Sequence, residues 1–208
     1  MILRPAVRVK CVCMPVRRRC HWIFDLDGTL TVAVHDFDEL RRELGLPLGA
    51  PILETIAALP SAERDHATRR LDALELALAR RARPQTGAVA ALEALAAQGR
   101  RLGLVTRNSE ANARATLRAA GLDRFFEPDD VVGREACAPK PSPDGIGRLL
   151  ARWQADATDA VMVGDYLFDL QAGRAAGTAT ILFDAAGEYR WSEYADLCID
   201  SLGALTRP

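Results

Sequence analysis

The chain has 208 residues, 49% of them hydrophobic, and a formal net charge of −1. That length buries one good core with room for a modest insertion, and the composition excludes a fibrous or disordered protein. No apolar run reaches the length of a membrane span, and the five cysteines form neither a zinc-binding spacing nor an even disulfide framework, which fits a reducing cytoplasm.

The first twenty residues carry Arg4, Arg8, Lys10, Arg17, Arg18 and Arg19 and no acid, so the rest of the chain stands at −7. A mildly acidic body is not built to hold nucleic acid. Residues 1–20 lack the continuous apolar centre of a secretory signal. Three readings stand for them: a disordered basic arm, an organellar targeting piece, or a start assigned upstream of a true beginning at Met14.

Trp22, Ile23 and Phe24 are a short run of strand formers that ends in Asp25-Leu26-Asp27-Gly28-Thr29-Leu30, a buried strand delivering acids to its carboxyl end. Two carboxylates so close repel each other and call for a cation, and Mg²⁺ suits an all-oxygen loop site. From Thr31 the pattern turns helical. Phe37, Leu40 and Leu44 give one short amphipathic stretch, Pro51 to Leu59 a second, and Ser61 is placed to cap a long Ala-, Leu- and Arg-rich helix running to about Arg83 and stopped by Pro84.

A strand–helix alternation then follows. A helix through Val89, Leu92 and Leu95 closes at Gly99, and the strand Leu102 to Val105 ends at Thr106-Arg107-Asn108. Ser109 to Ala120 is helical, Phe125 to Val132 is a strand region, and Pro141 opens a helix through Trp153. Ala160 to Val163, Ala179 to Phe183 and Leu197 to Ile199 are further strands. Alternation of this kind predicts an α/β fold, a parallel sheet with helices on both faces, whose ligands gather at the carboxyl ends of the strands. Asp25, Thr106 and Asp165 each fall at such an end.

Only Lys10 and Lys140 are lysines among 27 basic residues, so Lys140, flanked by Pro139 and Pro141, stands out as a chosen point charge. Asp165 and Asp169 are four residues apart, the spacing that puts two acids on one face of a helical turn.

The segment Asp25 to Leu30 resembles the first signature of the haloacid dehalogenase-like phosphohydrolases. Thr106, Lys140 in Ala138-Pro139-Lys140-Pro141, and Gly164-Asp165-Tyr166-Leu167-Phe168-Asp169 resemble the second, third and fourth, in the right order. The resemblance implies a Rossmann-like core over 21–31 and 86–208 with a small all-helical cap inserted over 32–85, similar to phosphoglycolate phosphatase-like enzymes. It implies a phosphatase acting on a small phosphorylated metabolite. Asp25 would be the nucleophile, Asp27 the general acid and base, and Thr106, Arg107, Asn108 and Lys140 the residues around the phosphate. Mg²⁺ would be held by Asp25, Asp27 through its carbonyl, Asp165 and Asp169. Arg107 departs from the commonest family form, and reaches either a substrate anion or solvent. Asp27 favours phosphomonoester chemistry, since the dehalogenases lack an acid there. A sugar-phosphate mutase would keep the same residues, and a non-catalytic phosphate- or partner-binding protein is the reading from another class. The cap is short for the group, which implies an open cleft. His35, Arg41 and Arg42 are its candidate specificity residues, although residues of these types usually face solvent.

Overall fold

The first strand, β1 (His21–Phe24), is buried on both faces because successive side chains point to opposite sides of a sheet covered twice. Trp22 and Phe24 enter one apolar cluster with Leu104, Leu92 and Leu117, while Ile23 enters the other with Val105, Met162 and Leu149. The computed structural model of the chain describes residues 16–33 and 37–206. Around β1 lie β2 (Arg101–Val105), β3 (Val131–Val132), β4 (Ala160–Gly164), β5 (Ala179–Phe183) and β6 (Leu197–Ile199). The order is β3-β2-β1-β4-β5-β6, every pair parallel, with Phe24 opposite both Leu104 and Val163. The chain grows outward to β3 and then crosses back to β4, so the order reverses between β1 and β4. A crevice therefore opens above the carboxyl end of β1.

Three helices, α1 (Phe37–Leu44), α2 (Ile52–Ala57) and α3 (Ser61–Ala79), form an all-helical insertion. Its own small core is Ile56, Ala67 and Leu71, with Leu44, Ile52 and Leu53 packed against them. The insertion enters and leaves at one point, where Thr31 pairs antiparallel with Pro84 and Val32 N–H donates to the Arg83 carbonyl at 3.0 Å. The covering helices of the sheet are α4 (Ala88–Ala97), α5 (Glu110–Ala119), α6 (Asp144–Trp153) and α7 (Leu167–Ala175). Among the described residues no helix is long and apolar enough to cross a membrane.

The structure differs from the sequence reading at several ends. Residues 1–15, with Met14, and His35 lie outside the described residues, but Val16–Cys20 belong to the fold rather than to a tail. Val16 packs on the core, and Arg19 is buried with its guanidinium donating to the Ala160 carbonyl at 2.9 Å. Ser61 does not cap α3. Pro60 holds the extended backbone of that position and its carbonyl accepts the first helical bond, from Arg64 N–H at 2.8 Å, so Ser61 is already helical. The helix stops at Ala79, short of Arg83, because residues 80–83 turn to deliver the Arg83 carbonyl to Val32. Before α6, Ser142 Oγ accepts from Asp144 N–H at 3.2 Å, which delays the helix by three residues beyond Pro141. Phe125 lies in a 3₁₀ turn, Asp123–Phe125, not in a strand.

Candidate active site

Asp25, Thr106 and Asp165 lie where predicted, just past the carboxyl ends of β1, β2 and β4. Asp25 leaves the sheet on one last ladder bond, its N–H donating to the Val163 carbonyl at 2.9 Å. Lys140 arrives from the loop before α6, and its ammonium, 2% exposed, donates to Asp25 and, at 2.6 Å, to Asp169. Carboxylate oxygens of Asp25, Asp165 and Asp169 come within 4.8 Å of one another.

The two acids of the fourth motif meet in a different way from the predicted helical face. Asp165 sits in the bend between β4 and α7, while Asp169 is in the first turn of α7 and accepts the Tyr166 N–H at 3.0 Å. The anion is thus held at a helix amino terminus, where free N–H groups favour it. Thr29, wholly buried, donates to Asp165 at 2.9 Å and fixes its rotamer. Two glycines make room. Gly28 has φ of 89°, and a Cβ there would run into the Asp165 carboxylate; one at Gly164 would overlap Asp169.

Burial pushes the Asp25 carboxyl well above the usual range; Lys140 opposes that shift, and Asp169 and Asp165 add to it. Asp165 is pushed up to about 7, again chiefly by burial and then by Asp169, against the hydrogen bond from Thr29. Burial alone would lower Lys140, but Asp169 and Asp25 outweigh it and hold the ammonium charged. Three carboxylates against one ammonium leave a formal excess of two negative charges in a closed space. That donor set, all hard oxygens, fits a small divalent cation.

Asp27 points elsewhere. Its carboxylate accepts Asn108 Nδ2–H at 2.7 Å, and Asn108 N–H in turn donates to Thr106 Oγ1 at 3.1 Å. Arg107 lines the same cavity, but its guanidinium is turned to protein acceptors: both Glu54 oxygens on α2, at 2.9 and 3.0 Å, and the Lys140 carbonyl. It also lies over the Phe168 ring at 5.0 Å. The cavity is about 520 Å³, floored by the acids and Lys140 and roofed by the helical insertion.

A sequence pattern described as haloacid dehalogenase-like hydrolase matches residues 22–183. The chain belongs to that family. The haloacid dehalogenase-like chain is therefore a hydrolase, and its relatives are hydrolases by name. It is 34% identical to the phosphoglycolate phosphatase of Rhodospirillum rubrum, with 88% of this chain and 84% of the relative covered. It is 31% identical to the pyrophosphatase PpaX of Bacillus velezensis, over 76% of this chain and 80% of that one. Among solved structures, a hydrolase from Pseudomonas syringae shares the fold with a TM-score of 0.74 at 21% identity, covering 88% of this chain and 94% of its own. CbbY from Rhodobacter sphaeroides, solved in complex with phosphate, has a TM-score of 0.68 at 24% identity, with 90% and 96% covered.

Some of the site was invisible beforehand. Thr29 could have been found, since it stands two residues beyond Asp27 in a stretch already marked. The partners that fasten the insertion to the sheet could not. Arg134 donates to Glu75 at 2.9 Å and lies against Asp72 at 2.5 Å, and Asn112 donates to Glu75 at 3.1 Å; the residues of each pair are distant in sequence. Of the expected specificity residues, Arg41 lines the cavity and Arg42 does not.

Proposed function

We propose that the chain is a Mg²⁺-dependent phosphatase that hydrolyses a small phosphomonoester through an aspartyl phosphate, with chemistry like that of the phosphoglycolate phosphatases. The observation that carries the reading is the buried Lys140 ammonium held between Asp25 and Asp169, with the hydroxyl of Thr106 lining the same cavity. Asp25 attacks phosphorus, and the bond from phosphorus to the alcohol oxygen breaks. Asp27 gives its proton to the departing alkoxide. Asp27 then takes a proton from water as that water attacks the phosphorus of the aspartyl phosphate, freeing phosphate and restoring Asp25.

The other side chains position and neutralise. Lys140 compensates charge on Asp25 and on the phosphoryl oxygens, Thr106 and Asn108 hold the phosphoryl group, and Asn108 also orients Asp27. Asp25, Asp165, Asp169 and the Asp27 carbonyl would hold Mg²⁺, which when bound offsets the repulsion between phosphate and carboxylates. The insertion over 32–85 serves as the cap that walls off the leaving group, and the enzyme works in the cytoplasm.

The test is Mg²⁺-dependent release of phosphate from a panel of esters by the wild type and by Asp25→Asn. Turnover that needs the metal and is abolished by the substitution supports the reading. Residual turnover in Asp25→Asn within tenfold of wild type would overturn it.

A further inference from the structure

We propose, resting on the phosphatase reading above, that the alcohol released from the substrate is uncharged and apolar, and that esters bearing a second anion are disfavoured. The cavity has two unlike ends. Its floor is the charged cluster around Lys140, and its roof is Leu40, Ile52, Leu53 and Leu71 from the insertion, joined by Phe168 from α7. A phosphoryl group seated on the floor leaves its alcohol against the roof, where removing apolar surface from water favours binding.

A second anion on that alcohol would need a cation, and among the described residues each of the three cations lining the cavity already holds protein acceptors. Lys140 is spent on Asp25 and Asp169. Arg41 donates from Nε to the Ala50 carbonyl at 2.7 Å and from Nη1 to Asp38 at 2.8 Å. Arg107 presents Nη2 to both oxygens of Glu54 and Nη1 to the Lys140 carbonyl, with its face covered by Phe168. A substrate carboxylate must therefore compete with protein acceptors, Glu54 foremost, for these cations or lie unpaired against an apolar wall, which is costly. The preference parts from the substrate for which the Rhodospirillum rubrum relative is named, since phosphoglycolate carries a carboxylate on its alcohol.

The experiment compares 2-phenylethyl phosphate with phosphoglycolate, two alkyl esters that differ in the charge of the alcohol. Wild-type kcat/KM is expected to favour the phenylethyl ester by about tenfold or more, the scale of a filled apolar pocket. Glu54→Gln, an exposed position that leaves the core untouched, frees Arg107 and should raise kcat/KM for phosphoglycolate, narrowing the ratio by about tenfold, the scale of one charge-assisted hydrogen bond. A wild type that favours phosphoglycolate, or a ratio unmoved by Glu54→Gln, would overturn the proposal. Calorimetric titration of both esters separates this from a failure of the phosphatase reading. If wild type with Mg²⁺ releases phosphate from no ester of the panel, that reading fails, and the same protein still reports which of the two esters binds. Tighter binding of the phenylethyl ester upholds the apolar site, and equal or reversed affinities overturn it.

Discussion

Lys140 lies 2.6 Å from Asp169, and the two side chains are only 2% and 4% exposed. A buried ammonium on a buried carboxylate is strongly destabilising to break, because the survivor is left charged and unpaired. Lys140→Met, close in size and without charge, is expected to lower stability by about 3–5 kcal/mol in urea denaturation at neutral pH. It also removes the group that holds Asp25 down, so the carboxyls rise further. Acidifying the buffer should return part of the loss, and so should Mg²⁺. An equally stable variant would contradict this account of the cluster.

Glu75 supplies a pH signature away from the metal site. Burial pushes its carboxyl from 4.5 up to about 7, against Arg134, which lowers it. Between those values the native state keeps a proton that the unfolded state has released. Stability therefore falls as pH rises from about 4.5 to 7 and levels off above, since its slope follows the protons bound unfolded minus those bound native. Glu75→Gln is expected to flatten that slope in thermal melts taken across the range. Arg134→Met should carry the fall to higher pH and destabilise the protein by about 3–5 kcal/mol, by stranding Glu75 and removing the ion pairs that Arg134 makes with Glu75 and Asp72 of the insertion.

Metal binding should be proton-coupled. Asp165 holds its proton up to about 7, so a cation entering the cluster must displace it at lower pH. The rise in melting temperature given by Mg²⁺ is expected to be small near pH 5.5 and to grow through pH 8. A rise independent of pH would place the ion elsewhere.

Gly28→Ala should separate metal binding from folding. The new methyl group meets the Asp165 carboxylate and sits at φ of 89°, where a side chain costs about 1–2 kcal/mol. A folded protein with Mg²⁺ affinity reduced about tenfold is expected, the scale seen when a ligand's supporting residues are disturbed. Calorimetry against circular dichroism checks both halves.

How far this was legible follows from the distance over which each cause acts. The central strand and its acids announce themselves within ten residues, as an apolar run that stops on Asp25. The rim could be assembled from three such stops without any pairing information. The spacing of Asp165 and Asp169 permits one helical face; the helix starts later, and Gly164 and Gly28 create the space that brings the acids together. Arg107 was the residue the sequence left open, and its orientation depends on Glu54, which lies 53 positions away on an inserted helix. Ion pairs of that kind have no local pattern, so Glu75 with Arg134 was equally silent. Proline, by contrast, misled by abundance: Pro60 and Pro143 took the positions assigned to Ser61 and Pro141 at the starts of their helices.

The central claim is the covalent step on Asp25. Asp27→Asn protein, mixed with p-nitrophenyl phosphate and Mg²⁺, then quenched in acid, should carry the mass of one phosphoryl group, because this leaving group departs without a proton while hydrolysis of the intermediate lacks its base. Peptide mapping is predicted to place that group on Asp25. Release of nitrophenol with no phosphorylated protein at any quench time, or a phosphoryl group on another residue, would contradict the account.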